Sequence, residues 1–341
     1  MQYEVTIGIP VYQVEDYIRR TMESALAQIY PNIEFLVIND GSDDKSADTI
    51  RELQRIHPRG KDIRFIQHKH NLGVATTRNE IIKEARGNYL YFMDSDDVIN
   101  ENTISLLMKH INEFEADIAF GSYEKIGING ERIIYQYPKL FFDVTEKLSD
   151  FAYRRYAGIQ ASACNFIVRR SVLQDNKLYF CNSRFWEDTI FTLELVTYIQ
   201  RAVFLPDITY SYLCRKHSLS DIPDTSTIKK RDIIDYFQTV NQLKLRKEEL
   251  MQYSYFPDRC YVAVMSDFYI ICNILKRWQH IYPTFTYQEL KYYLKHPASL
   301  AEICSFKNKR LQNLILYLLG KLPATMCITL IRYAGKRKGL I

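Results

Sequence analysis

The 341 residues suffice for about two domains, and with 47% of them apolar they can bury a full-sized core, which excludes a largely disordered chain. Only 12 Gly and 10 Pro exclude a fibrous or low-complexity protein, and 25% charged residues of both signs read as an ordinary soluble surface. The net charge of +5 is unevenly spread: residues 1–100 carry 12 Lys/Arg against 16 Asp/Glu, residues 101–225 carry 14 against 16, and residues 226–341 carry 19 against 8. A basic final third implies a polyanionic partner, nucleic acid or an anionic membrane face, and a boundary near residue 225.

The first strand is expected over Glu4 to Pro10, where Val5, Ile7 and Ile9 alternate, followed by a helix carrying Val14, Tyr17, Ile18, Met22, Ala25, Leu26 and Ile29. Strand Ile33 to Ile38, a helix through Ile50, Leu53 and Ile56, strand Ile63 to Gln67, helix Val74 to Ala85 and strand Tyr89 to Met93 continue the rhythm. Such βαβ spacing with apolar strands predicts a parallel sheet, whose ligands sit beyond the carboxyl ends of the strands. The residues there are polar: Tyr12 after the first strand, Asn39-Asp40-Gly41-Ser42-Asp43 after the second, His68 to Gly73 after the third and Asp94-Ser95-Asp96-Asp97 after the fourth. Neither G-x-G-x-x-G nor G-x-x-x-x-G-K-[ST] occurs there, which argues against a dinucleotide dehydrogenase and a P-loop NTPase.

Three carboxylates in four residues repel one another unless a cation neutralises them, and their hard oxygens suit Mg²⁺ or Mn²⁺ held together with substrate phosphates. The plain alternative is helix capping by Asp97 or Asn100 ahead of a helix carrying Ile104, Leu107 and Ile111. All seven cysteines lie beyond residue 163, without C-x-x-C spacing, so neither a disulfide framework nor a zinc site is expected. No basic-then-apolar leader opens the sequence, so a cytoplasmic location is expected.

Taken together, Ile9-Pro10-Val11-Tyr12, Val37 to Asp44, Asn71-Leu72-Gly73 with Arg78-Asn79, Gly87-Asn88-Tyr89-Leu90 and Phe92 to Asp97 resemble the family 2 inverting glycosyltransferases that build bacterial surface polysaccharides. The resemblance is strong over residues 4–125, fair to about 222 and absent beyond. It implies an α/β GT-A fold, Rossmann-like with a mostly parallel sheet flanked by helices. The catalytic domain would span residues 1–225, with a nucleotide-sugar half at about 1–125 and an acceptor half at about 126–225. A basic α-helical region would occupy 226–341. The family pattern places Pro10 and Tyr12 in the nucleoside pocket, Asp40 at the base edge, Arg78 near the base and phosphates, Asp94 and Ser95 beside the nucleotide, and Asp96 on Mn²⁺ or Mg²⁺. Asp43 and Asp44 read as helix caps rather than ligands.

Inversion needs one general base. The resemblance assigns it to Asp188 of Phe185-Trp186-Glu187-Asp188-Thr189, oriented by Glu187 at the head of a helix carrying Ile190, Phe191, Leu193, Leu195 and Val196. Tyr210 to Ser220 is similar to a basic segment that closes these domains, where Arg215, Lys216 or His217 would meet the diphosphate, or His217 the metal, with a solvated basic loop as the alternative. Helices are expected over Ile233 to Leu250, Tyr261 to Trp278, Tyr287 to Leu294, Leu311 to Leu319 and Thr325 to Tyr333.

The implied activity is transfer of a hexose or N-acetylhexosamine from a nucleoside-diphosphate sugar, with uridine diphosphate preferred, to a glycan or lipid-linked acceptor. Alternatives are a non-catalytic nucleotide-sugar-binding protein and a haloacid-dehalogenase-like phosphatase, which would open its first strand with the Asp motif. No aromatic-basic recognition motif supports nucleic acid as partner. The basic end, with Leu314, Ile315, Leu316, Leu318, Leu319, Ile328, Leu330 and Ile331, predicts peripheral attachment to an anionic inner membrane face, against a helical lid as alternative. Lys321 and Pro323 interrupt the apolar stretch before it could span a bilayer.

Overall fold

The computed structural model describes residues 3–154, 159–160, 162–183, 186–215 and 228–341. The chain forms two compact units. The first comprises Met1–Leu148, Gln160–Asn182 and Phe191–Asp221; the second comprises Ser149–Ile159, Ser183–Ile190 and Ile222–Ile341.

The first unit opens with β1 (Val5–Val11), α1 (Ile18–Leu26), β2 (Ile33–Asn39), α2 (Ser46–Ile56), β3 (Ile63–Gln67), α3 (Val74–Glu84) and β4 (Tyr89–Phe92), as the periodicity predicts. Val14 and Tyr17 precede α1 rather than joining it, because Gln13 adopts a left-handed φ of 50° that turns the chain first. The strands β1 and β2 are buried along their whole length, which requires cover on both faces and explains their continuous apolar sequence. There follow in the chain β5 (Val98–Ile99), α4 (Thr103–Phe114), β6 (Ile118–Ile126), β7 (Arg132–Tyr135), β8 (Leu140–Phe142), α5 (Leu148–Arg154), β9 (Phe166–Arg169), α6 (Arg170–Asp175), α7 (Glu187–Leu195) and β10 (Ala202–Leu213), of which α5 beyond Leu148 and the first turn of α7 belong to the second unit.

The main sheet runs β3-β2-β1-β4-β9-β6-β10-β5, with β7 beside β6 and β8 beside β10. Its first four strands are parallel, while β9 lies antiparallel to both β4 and β6 and makes the second half mixed. The order reverses between β1 and β4, a topological switch point, so the crevice for a ligand opens at their carboxyl ends. The four parallel strands therefore deliver Tyr12, Asp40, His68 and Asp94 to the same edge of the sheet.

In the second unit β11 (Ile228–Lys229) pairs with β12 (Ile281–Tyr282), among α8 (Lys230–Asn241), α9 (Lys247–Leu250), α10 (Phe256–Lys276), α11 (Tyr287–Tyr293), α12 (Leu300–Ser305), α13 (Arg310–Lys321) and α14 (Ala324–Arg337). The continuous helix expected over Ile233 to Leu250 is broken after Asn241. The buried Arg259 guanidinium takes the carbonyls of Leu243 at 2.9 Å and Gln242 at 3.4 Å, Lys244 reaches the buried Asp267 carboxylate, and Arg246 turns left-handed. The helix α12 was not expected, although its Ser299-x-x-Glu302 capping box is visible in the sequence. Of the apolar residues expected to meet a membrane, Leu316, Ile328 and Ile331 are core, whereas Ile315, Leu318 and Leu330 are exposed. Among the described residues no helix is long and apolar enough to cross a membrane.

Gly41 sets how closely the β2 loop approaches the β3–α3 loop. It has φ +72°, and a Cβ there would lie 2.5 Å from the His70 carbonyl carbon and 2.8 Å from the Asn71 nitrogen, both backbone. Gly73 also has positive φ, at +92°, but nothing lies within 4 Å of its Cβ position. Gly73→Ala should therefore meet only a backbone cost, about 1–3 kcal/mol because φ +92° with ψ 151° is a region essentially confined to glycine, whereas Gly41→Ala should add about 1–3 kcal/mol of overpacking to its own backbone cost. Denaturant unfolding checks this, and equal losses in the two variants would contradict the close approach.

Candidate functional site

The loops after β1 and β2 interlock. The Gln13 amide donates to Ser42 at 3.0 Å, its side chain donates to Asp43 at 2.8 Å, and the Glu15 amide donates to Asp44 at 2.9 Å. Asp44 also accepts from the Ser46 amide at 3.0 Å, but the N-cap of α2 is Lys45 and no side chain caps that helix, and Asp43 serves the neighbouring loop, so neither is the cap expected. Pro10 is buried in β1, and the Tyr12 ring just beyond it is exposed.

Asp40 is buried and turned inward. It accepts from the Leu72 amide at 2.8 Å, the Gly73 amide at 2.8 Å and His68 Nδ1 at 2.7 Å. Both carboxylate oxygens are engaged, with about one of the four lone-pair positions of a carboxylate left over. Sequence reading does not give this role for Asp40, since the amides that bind it come from a loop about thirty residues away in the chain.

Asp94 to Asp97 form the turn from β4 to β5, and each carboxylate has its own partner. Arg78, buried on α3 with its guanidinium over the Phe180 ring, bonds Asp94 at 2.9 Å. Arg215, just after β10, pairs through Nε with Asp96. The Tyr210 hydroxyl donates to Asp97 at 2.6 Å and accepts from the Asp94 amide at 3.2 Å, while the Leu213 amide donates to Asp97 at 2.8 Å. The helix α1 pins the turn backbone: Thr21 donates to the Ser95 carbonyl at 3.0 Å and Arg20 to the Asp96 carbonyl at 3.1 Å. Asp97 thus braces the turn and does not cap α4, whose N-cap is Asn102. Ser95 is buried.

Burial and the neighbouring Asp94 charge push the Asp96 pKa up, and Arg215 draws it partly back. Burial and both neighbouring carboxylates raise that of Asp97 well above the usual range. The turn thus gathers three acidic groups against two cations, Arg78 and Arg215, and burial is the main reason the Asp96 and Asp97 carboxyls are harder to ionise. The Asp94 and Asp96 side chains keep 31% and 20% exposure, so their oxygens remain reachable. Among the described residues no group of three or more His, Cys, Asp or Glu is gathered to hold a metal. A hard divalent ion that takes one or two carboxylates and fills its shell from a diphosphate fits this donor set.

In the second unit Glu187 and Asp188 are the first two residues of α7, Glu187 buried and Asp188 half-buried. The Thr189 amide donates to the Asp188 carboxylate at 2.6 Å. Trp186 has φ +62°, which turns the chain into the helix, and its ring packs against Tyr236 at 5.3 Å. Phe185, Lys216 and His217 lie outside the described residues. Phe180 was not singled out in the sequence, and His68 and Tyr210 were named only as the first residues of a polar loop and a basic segment, because nothing in their local pattern assigns them a partner.

The family model described as "Glycosyl transferase family 2" matches residues 6–176. Among relatives, "Glycosyltransferase GlyA" of Streptococcus pneumoniae is 30% identical over 234 residues, covering 64% of this chain and 32% of that protein. The "Poly(ribitol-phosphate) beta-glucosyltransferase" of Bacillus spizizenii is 26% identical over 257 residues, covering 73% of this chain and 39% of that protein. The chain thus spans about a third of the length of each. The crystal structure of S. aureus TarS 1-349 in complex with UDP-GlcNAc superposes with a TM-score of 0.69 at 18% identity, covering 98% of this chain and 92% of that one, and the fold is the same. A polar crevice at the switch point of a Rossmann-like sheet, with the family motifs on its rim, is what the sequence resemblance implied, and the chain belongs to glycosyl transferase family 2.

Proposed function

We propose that the protein is a metal-dependent inverting glycosyltransferase using a UDP-sugar donor. The Asp94–Asp97 turn carries the reading: its three acidic groups against two cations, with the Asp94 and Asp96 oxygens reachable, suit a divalent ion that brings a diphosphate with it. The UDP-GlcNAc bound by TarS and the β-glucosyl transfer named for the Bacillus spizizenii relative support this choice of donor and stereochemistry. Asp96 would hold Mn²⁺ or Mg²⁺, which neutralises the leaving diphosphate when bound. Asp94 and Ser95 would line the ribose side, Arg78 the phosphates, Pro10 and Tyr12 the base, and the remaining lone pair of Asp40 the base edge. Residues 1–225 would form the catalytic domain and 226–341 its helical region.

The acceptor hydroxyl must lose a proton as it attacks the anomeric carbon. Asp188 would take it, since a carboxylate in the first turn of a helix is kept ionised by the backbone dipole, with Glu187 holding it in place. A glycan or lipid-linked glycan of a surface polysaccharide would supply that hydroxyl.

An anionic membrane is the proposed docking partner. Leu311, Ile315 and Leu318 on α13, and Met326, Leu330 and Tyr333 on α14, are exposed at i, i+4, i+7 spacing, so each helix turns one apolar stripe outward. No Asp or Glu follows Glu302, against eight Lys/Arg. Stripes of this kind sink into the headgroup boundary while basic residues face anionic lipid.

Asp96→Ala should abolish the gain in UDP affinity that Mn²⁺ confers, measured by calorimetry; unchanged metal-dependent binding contradicts the assignment. Asp188→Asn should lower turnover about 10²- to 10⁴-fold with UDP affinity kept, and retained turnover would remove the base from Asp188. In flotation the protein should rise with anionic but not neutral liposomes at low salt, and the double variant Ile315→Asp, Leu330→Asp should not rise. Failure of the parent to float contradicts membrane docking, and an apolar-stripe self-association would show instead as a dimer in sedimentation.

A further inference from the structure

His68, the residue after β3, is held between two carboxylates. Its Nδ1 lies 2.7 Å from Asp40 at the end of β2, and its Nε2 lies 2.7 Å from Glu80 on α3. A neutral imidazole offers one donor and one acceptor, so one nitrogen would then present a lone pair to a carboxylate oxygen. Only the imidazolium satisfies both contacts, and 2.7 Å is the length of a charge-assisted bond. The ring is almost fully buried, whereas Glu80 keeps 32% exposure. Burial pulls the His68 pKa down, but the hydrogen bonds and charges of Asp40 and Glu80 outweigh it and the net shift is upward.

What this cation holds is the base end of the pocket. The Asp40 carboxylate that bonds His68 also accepts the Leu72 and Gly73 amides, and Gly73 is the N-cap of α3, the helix that carries Arg78 toward Asp94. The His68 backbone amide completes the tie by donating to the Asn39 carbonyl at 2.9 Å. With the ring neutral, Asp40 would keep its amides but lose a cationic partner or gain a repelling lone pair, and Glu80 would lose its tie to the β3 end.

We propose that His68 is a positioning residue for donor binding: as an imidazolium clamped between Asp40 and Glu80 it fixes the base-binding carboxylate and the α3 N-terminus, and nucleotide affinity falls when the clamp deprotonates. The proposal rests on the reading of Asp40 as the base-edge acceptor. Asp40 and Glu80 are the charged groups that act on the ring, from β2 and α3; Lys69 and His70 of its own loop are exposed. Because the folded-state pKa is raised, the clamp is complete at and below the ordinary imidazole value and is lost as pH rises through the raised one.

The test combines ring ¹⁵N NMR of histidine-labelled protein with UDP calorimetry from about pH 5 to about pH 9, a span that brackets the ordinary imidazole value. The His68 resonance, assigned with His68→Gln, should show both ring nitrogens protonated at the lower end. UDP affinity should drop about tenfold or more across the same titration, as expected for losing a charge-assisted bond. Glu80→Gln removes one of the two carboxylates that hold the ring and should shift both midpoints to lower pH; His68→Gln should bind weakly with a flat profile. A merely structural histidine would not make the binding midpoint follow Glu80. A His68 ring that becomes neutral below the ordinary imidazole value of about 6.5, or a binding profile that Glu80→Gln leaves unmoved, overturns the proposal. If the parent binds no UDP at any pH, the nucleotide reading fails by itself. The ring titration and the hydrogen-exchange protection of the Leu72 and Gly73 amides, which should fall at the His68 midpoint, still decide the clamp.

Discussion

Three carboxylates within four residues, at the end of an apolar strand, repel one another strongly in a half-buried setting, and the first unit is arranged around containing that charge. Each carboxylate recruits a partner from a different element: Arg78 of α3 for Asp94, Arg215 after β10 for Asp96, and Tyr210 of β10 for Asp97. The mixed half of the sheet follows the same logic, because β5 pairs with β10 and the turn between β4 and β5 thereby meets the Tyr210 hydroxyl. Three acidic groups face two cations, and burial, together with the Asp94 charge, raises the Asp96 pKa.

The two ends of the crevice share one helix. The N-terminus of α3 is tied to Asp40 through the Gly73 amide, and one turn later Arg78 is tied to Asp94. Displacing α3 would disturb the Asp40 and Asp94 contacts together. Gly41, whose missing side chain lets the β2 loop lie against His70 and Asn71, and the imidazolium of His68, which joins β2 to α3, both set where that helix begins.

The parallel half of the sheet was legible because strands buried on both faces must be apolar throughout and helices between them must be amphipathic; β1 to β4 fall where the pattern put them. The acidic turn was legible for the same electrostatic reason that shapes it. What escaped depends on contacts distant in sequence. The carboxylate of Asp97 looked like a cap for α4 until Tyr210, more than a hundred residues on, was brought to it. The break after Asn241 follows from Arg259 taking carbonyls that a longer helix would have kept, which no local propensity encodes. Arg215 stood in the sequence as one of three basic residues of equal standing, and its pairing with Asp96 is a contact between residues more than a hundred positions apart.

The central claim is that the carboxyl edge of β1 to β4 is a nucleoside-diphosphate site completed by a divalent ion. Calorimetric titration of UDP into the parent protein, with Mn²⁺ and again with a chelator, tests it most directly. The account predicts saturable binding with a stoichiometry of about one that is at least about tenfold tighter with the metal, since the Asp94–Asp96 carboxylates would otherwise repel the diphosphate. Absence of binding in both conditions, or equal affinity in the two, would contradict it.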